Sequence, residues 1–75
     1  MNYQFIIGIN PNGVDPEEAL GVSCADALLV RRKGNLFLDF DREADCFTWA
    51  VRTAITDIED AGVTVTAILG AEGGK

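Results

Sequence analysis

The apolar positions of this chain change period along its length, and each change predicts a separate element. Tyr3–Ile9 has apolar residues at both odd and even positions, so both faces of the strand are apolar, as in a strand at the centre of a sheet. Two further apolar runs, Ala27–Arg32 and Leu36–Asp41, flank the loop Lys33-Gly34-Asn35, which predicts an antiparallel hairpin. Val63–Leu69 alternates threonine with apolar residues and predicts a last strand.

Two helices are predicted between these strands. Asp15 followed by Pro16 is typical of an N-cap and a first-turn proline, and Gly21 limits that helix to about two turns. Asp45 is the predicted N-cap of the second helix, which ends before Gly62. Helical spacing places its apolar residues in one stripe: Phe47, Ala50, Val51, Ala54, Ile55, Ile58 and Ala61.

The predicted element order is β-α-β-β-α-β. With right-handed crossovers this order gives a ferredoxin-like α+β sandwich, a four-stranded antiparallel sheet with two helices on one face. The first and third strands are then central. The alternative is an α+β arrangement in which the first helix has collapsed into a loop. We expect one domain over residues 1–70 and a flexible tail over residues 71–75.

The net charge and the N-terminal residues limit which partners and which cellular location we expect for this protein. Twelve acidic residues against six basic ones give a net charge of −6, which disfavours phosphate backbones and anionic membranes. Arg31-Arg32-Lys33 is the only basic cluster, and we interpret it as solubilising charge beside the hairpin. The N-terminus has no basic region, and its apolar run is far shorter than the roughly 20 residues of a membrane span. We expect a cytoplasmic protein.

Catalytic, metal and cofactor sites are not predicted. The chain has no histidine, and Cys24 and Cys46 have neither metal-ligand spacing nor the number of a disulfide scaffold. We expect free thiols that behave as small, partly buried hydrophobic residues. Asp39, Asp41 and Glu43 alternate at a strand end without a calcium-binding loop, so we expect a solvated edge and no enzyme.

The predicted element order is shared with RNA-recognition domains, whose third strand carries an aromatic motif. KGNLFLDF matches that motif at Phe37 and Phe40. It fails at Asn35, where an aromatic residue should stack on a base, and at Leu36, where a small residue is usual. We therefore interpret it as a hydrophobic hairpin strand and expect no nucleic-acid partner.

Trp49 is unexpected on its helix. It lies nearly opposite the apolar stripe, on the same side as Thr53 and Thr56, where polar residues are typical. Tryptophan is enriched at interface hot spots, so Trp49 is a candidate interface anchor. The alternative is that it folds over Arg52 or the C-terminal tail.

A second candidate surface is the sheet face away from the helices. Strict alternation gathers Ile6, Phe37 and Ile68 there, with Thr64 and Thr66. An apolar patch in water suggests a sheet-to-sheet dimer or a neighbouring domain. The alternative is a modest patch tolerated on a monomer.

Residues 40–62 resemble a small bacterial domain of unknown function whose pattern is FDREA followed by A-V-x-x-A-I-x-D-I-E-x-A-G. The matching residues are Phe40, Asp41, Arg42, Glu43, Ala44, Ala50, Val51, Ala54, Ile55, Asp57, Ile58, Glu59, Ala61 and Gly62. Members often carry this domain ahead of a helix-turn-helix segment, which implies regulatory DNA-binding or antitoxin-like proteins. This chain departs from the pattern at Trp49, and we expect no helix-turn-helix between Leu69 and Lys75.

Together these features favour a non-enzymatic interaction or regulatory module that self-associates or docks on a protein partner. The alternative is a small-ligand sensor that uses the Asn10-Pro11-Asn12-Gly13 loop near the first helix. Single-stranded RNA binding through Phe37 is a third, weaker hypothesis.

Overall fold

The computed structural model of this chain describes residues 1–24 and 26–71. Its elements follow the order strand, helix, strand, strand, helix, strand. They are β1 (Asn2–Asn10), α1 (Pro16–Ser23), β2 (Ala27–Arg32), β3 (Asn35–Glu43), α2 (Phe47–Asp60) and β4 (Thr64–Ala71). No helix among these residues is long and apolar enough to cross a membrane.

The four strands form one antiparallel sheet in the order β2-β3-β1-β4. The chain is thus an α+β fold, and the predicted central position of the first and third strands is confirmed. Phe5 pairs with Phe40, and Ile7 pairs with Leu38. Residues paired across antiparallel strands point to the same side, so these pairs share one face of the sheet.

The hydrophobic core lies on that face and is built around aromatic rings. Phe5 and Phe40 stack with their centroids 5.1 Å apart. Phe47 of α2 meets Phe5 edge to face at 5.9 Å and also contacts Tyr3. Such geometry matches the charge distribution of aromatic rings and adds to the area they bury. These rings fix α2 across the two central strands.

The apolar stripe of α2 packs as predicted. Ala50, Val51, Ala54 and Ile58 are buried, and the remaining stripe residues are partly buried against the core. The predicted cap at Asp45 is wrong. Cys46 occupies the N-cap position with extended backbone angles, and no side chain caps the helix. Asp45 lies one residue too early, because the first helical bond runs from the Ala50 amide to the Cys46 carbonyl.

The first helix is formed, so the alternative of a collapsed loop is excluded. Asp15 is its N-cap, and its carboxylate accepts a hydrogen bond from the Glu17 amide at 3.1 Å. Pro16 occupies the first turn, where its missing N–H costs no helical bond. The helix contacts α2 and contributes Leu20 to the same core. Both helices therefore pack against one face.

The hairpin between β2 and β3 is tighter than predicted. Arg32 pairs with Asn35, which leaves only Lys33 and Gly34 in the turn. Their φ angles are 52° and 79°, both in the left-handed region. Two-residue hairpin turns of this kind match the twist of the strands, and glycine adopts the second position without strain.

Strand β4 departs from strict alternation, and this corrects the predicted position of Ile68. Gly8 pairs with Ala67 but Ile9 pairs with Val65, so an extra residue is inserted on β4 at Thr66. Beyond this bulge Ile68 pairs with Ile7, whose side chain lies in the core. Ile68 therefore lies on the helix-covered face, and Leu69 takes the place predicted for it.

The predicted tail can be compared only in part. Strand β4 is assigned as far as Ala71, one residue beyond the predicted end of the domain at residue 70. Residues 72–75 lie outside the described part of the chain.

Ile7 and Ile68 are paired isoleucines that differ in solvent exposure, so the same substitution at each position tests the assigned burial. Ile7 is fully buried and Ile68 is 50% exposed. We expect Ile7→Val to lower the free energy of unfolding by about 1 kcal/mol, because a buried methyl group is lost. Ile68→Val is the matched control and should stay within about 0.5 kcal/mol of wild type. Urea unfolding followed by circular dichroism measures both, and equal losses would contradict the assigned burial.

Candidate interaction surfaces

The sheet face opposite the helices, called here the open face, carries an apolar groove. Ile6 pairs with Asp39 on one side and with Leu69 on the other, so all three lie on this face. The groove has a volume of about 280 Å³. Its walls are Ile6, Val30, Phe37 and Leu69, with Arg32 and Asp39 beside them.

Apolar side chains at the margins of the open face are unusually exposed. Leu28, which pairs with Asp39, is 66% exposed, and Leu69 is 45% exposed. No element packs on this face within residues 1–24 and 26–71, because both helices lie on the other side. The apolar patch extends over all four strands. It is therefore larger than the isolated apolar residues found on most protein surfaces.

Gly8 has no side chain and so leaves a depression at the centre of the open face. It pairs with Phe37, and a Cβ atom at Gly8 would lie 3.0 Å from the Thr66 hydroxyl and 3.5 Å from the Phe37 ring. A side chain there would press on the Thr66 hydroxyl, whereas its distance to Phe37 is an ordinary van der Waals contact. Thr64 and Thr66 are exposed on β4.

The charges of the open face are separated along the strands. Arg32 lies at the hairpin end, opposite Asn35 at the start of β3. Asp39, Asp41 and Glu43 follow at alternate positions toward the other end of β3, and all are exposed. The face therefore runs from a basic end through an apolar centre to an acidic end.

The Trp49 cleft is a second surface, where β1 begins and β3 ends, and it shares Asp41 and Glu43 with the acidic end of the open face. It has a volume of about 820 Å³, and Trp49 on its wall is 55% exposed. Four carboxylates line it, from Asp26, Asp41, Glu43 and Asp45, whereas Arg42 is the one basic residue. The alternative, in which Trp49 folds over Arg52 or the C-terminal tail, stays a prediction: Arg52 does not line this cleft, and residues 72–75 lie outside the described part of the chain.

The Arg42 guanidinium forms ion pairs within the chain. It binds both carboxylate oxygens of Asp26, at 2.7 and 2.9 Å, and lies 3.0 Å from the Asp57 carboxylate. The same group stands 5.1 Å from the centre of the Phe40 ring. The hydrogen bond from Arg42 lowers the pKa of Asp26 and correspondingly raises the pKa of Arg42. Arg42 therefore joins β3 to α2 and to the residues before β2.

The two threonines predicted beside Trp49 differ in role. Thr53 lines the cleft, accepts a hydrogen bond from Arg42 at 3.1 Å and donates to the Ala50 carbonyl. Thr56 is exposed, donates to the Arg52 carbonyl and does not line the cleft. The predicted stripe is thus divided, with Thr53 used for internal packing.

The cysteines separate into one buried and one exposed thiol, and both are free. Burial raises the pKa of the Cys24 thiol to about 11, with a smaller contribution from Asp57. Cys24 is therefore a protonated core residue at neutral pH. Cys46 is exposed, which corrects the expectation of partial burial for both.

The loop proposed for a small-ligand sensor is occupied by its own contacts. The Asn12 amide group donates to the Gly62 carbonyl at 3.3 Å and to the Thr64 hydroxyl. The Asn12 backbone N–H donates to the Asn10 side chain. The adjacent N-terminus of α1 is capped by Asp15 and carries two acidic residues in its first turn. These charges oppose an anionic ligand.

Among residues 1–24 and 26–71 no three side chains of His, Cys, Asp or Glu are placed so that they could hold a metal ion together. No known protein family, curated protein or solved structure matches this chain. The resemblance of residues 40–62 to a bacterial domain therefore stays a prediction. The candidate sites depend on the geometry of the chain alone.

Asp26 provides a pH-dependent test of the Arg42 network. Its pKa is lowered in the folded state, so its contribution to stability is present above the ordinary value of 3.8 and is lost as the pH falls below it. Asp26→Asn should lower the free energy of unfolding at pH 7 by about 1 kcal/mol. The difference from wild type should shrink at pH 3 in urea unfolding.

Glu59→Gln is the matched control for this comparison, because Glu59 is exposed on α2 and outside the network. It should change stability little at either pH. A difference between wild type and Asp26→Asn that is the same at pH 7 and pH 3 would show that the Asp26 carboxylate is not stabilised by Arg42.

Trp49 is the single tryptophan and reports directly on the acidic cleft. We expect caesium ions to quench its fluorescence more strongly than iodide, because the four carboxylates concentrate cations and repel anions. Quenching constants are divided by those of N-acetyltryptophanamide at equal ionic strength. The double variant Glu43→Gln, Asp45→Asn should bring the two constants closer. Stronger quenching by iodide would contradict the charge assigned to the cleft.

Proposed function

We propose that this chain is a non-enzymatic cytoplasmic interaction module that associates with protein through its open face. The apolar groove between Ile6, Phe37 and Leu69, extended by the exposed Leu28, is the observation that carries the proposal. Burying apolar surface of this kind releases roughly 25 cal/mol for each Å² removed from water. A partner that covers the face would gain this energy.

The order of elements and the strand order β2-β3-β1-β4 support a ferredoxin-like sandwich as the architecture of the module. In that architecture one sheet face carries the helices and the other is free to pack on a neighbour. We propose this assignment together with the function, because an interaction surface on the sheet follows from it.

The open face is a better docking surface than the Trp49 cleft. The cleft combines one exposed aromatic side chain with four carboxylates, and these charges are costly to desolvate on binding. Thr53 and Arg42 in its wall already bind each other. The open face instead presents contiguous apolar side chains, with Arg32 and Asp39 as the charged residues beside its groove.

The test is photo-crosslinking in cells of the natural source. A benzophenone amino acid replaces Leu28 or Leu69, which are exposed and whose replacement leaves the core intact. Both positions should give a discrete crosslinked product on irradiation, because a partner lies against them. Glu59, exposed on α2, is the control position and should give none.

The comparison with position Trp49 decides between the two surfaces. A discrete product from Trp49 alone would place docking at the cleft and overturn the assignment of the open face. The absence of any product from Leu28 and Leu69 would overturn it as well.

A further inference from the structure

We propose that the occupant of the open face is a second copy of this chain, packed face to face about a two-fold axis that crosses the strands. This inference depends on the proposed function, since it requires that the open face is an association surface. It adds the identity of the partner and the orientation of the two sheets.

The separation of charge along the strands supports a second copy. Arg32 marks the hairpin end of the open face, and Asp39 and Asp41 mark the far half of β3. A two-fold axis across the strands reverses their direction in the second copy. The basic end of each copy then lies over the acidic end of the other, and the match occurs twice.

Other arrangements lack this complementarity. If the strands of the two copies ran in the same direction, both basic ends would lie at one end of the interface and the carboxylates of both copies at the other, which costs energy. A surface that is complementary to itself only when reversed is the signature of an isologous two-fold interface. The groove between Val30, Phe37 and Ile6 lies between the two charged ends and would be buried near the axis.

The charges at the two ends are available for such contacts. Among the residues that the structure describes, the ion pairs are those of Arg42 with Asp26 and Asp57. Neither Arg32 nor Asp39 takes part in them. Because the chain carries a net charge of −6, two copies repel each other at long range. The local match at the ends of the open face is therefore needed to orient them.

The dimensions of the molecule are compatible with a modest dimer. The largest two principal extents of the molecule are 34 and 24 Å, so the broad face covers at most roughly 800 Å². Standard protein interfaces bury about 800 Å² on each partner, and smaller interfaces are typical of weak association. We therefore expect weak, reversible dimers in a face-to-face arrangement.

The experiment uses opposite charge changes at the two ends of the open face. Arg32→Glu makes both ends acidic, and the double variant Asp39→Lys, Asp41→Lys makes both ends basic. Each variant alone should self-associate at least tenfold more weakly than wild type in sedimentation equilibrium. An equimolar mixture should recover the wild-type affinity as a heterodimer, because each acidic end then meets a basic end.

Matched variants carry the same changes of net charge on the helices. Arg52→Glu controls for Arg32→Glu, and the double variant Glu17→Lys, Glu18→Lys controls for the other; all three residues are exposed. These controls should self-associate within about threefold of wild type, and mixing them should not favour a heterodimer. Urea unfolding of every variant verifies that the fold is retained.

The outcomes separate this inference from the proposed function. Equal association of the open-face variants and wild type, or no recovery in the mixture, overturns the two-fold arrangement. A wild-type protein that stays monomeric at about 1 mM, while Leu28 and Leu69 crosslink to a different protein in cells, overturns the second copy but leaves the proposed function standing. A crosslinked product at twice the chain mass supports both.

Discussion

A single layer of helices on a four-stranded sheet is the constraint from which the other features follow. The helices have 8 and 14 residues, and both pack on the same side of the sheet. Each strand is therefore divided between an inner set of side chains and an outer set. The inner set forms the core around Phe5 and Phe40. The outer set includes Ile6 and Phe37, which no described element covers, and so the sheet has an apolar side in contact with solvent.

Arg42 marks the limit of the helical layer. It follows Phe40 on the inner face, at the end of β3, where apolar packing gives way to solvent. Asp26, just before β2, and Asp57 of α2 neutralise it, and the Phe40 ring lies against its guanidinium. A buried cation without such partners would be costly. Because these contacts use its charge, the neighbouring cleft is left with an acidic character.

Local sequence signals predicted the elements well, but not the side on which every residue lies. The proline and aspartate at the start of α1 and the helical period of α2 are encoded within a few residues, and both helices formed where expected. Ile68 was misplaced because the bulge at Thr66 arises from pairing with β1, which is distant in sequence. The partners of Arg42 were missed for the same reason. The sequence did not predict that Leu28 and Leu69 belong to one exposed patch, because that depends on their neighbours across the sheet.

The edges of the sheet bear on how two copies can meet. Edge strands invite pairing through their free backbone groups, and β2 and β4 are the edges here. Strand β2 carries the exposed charged residues Arg31 and Arg32, and charge on an edge strand disfavours the addition of another strand. Strand β4 is interrupted by two shifts of register against β1, which disturb the regular ladder that an added strand requires. Both edges therefore disfavour strand addition, whereas the open face combines an apolar centre with ends of opposite charge. The two edge strands thus disfavour pairing through the backbone, while their side chains on the open face remain available for face-to-face packing.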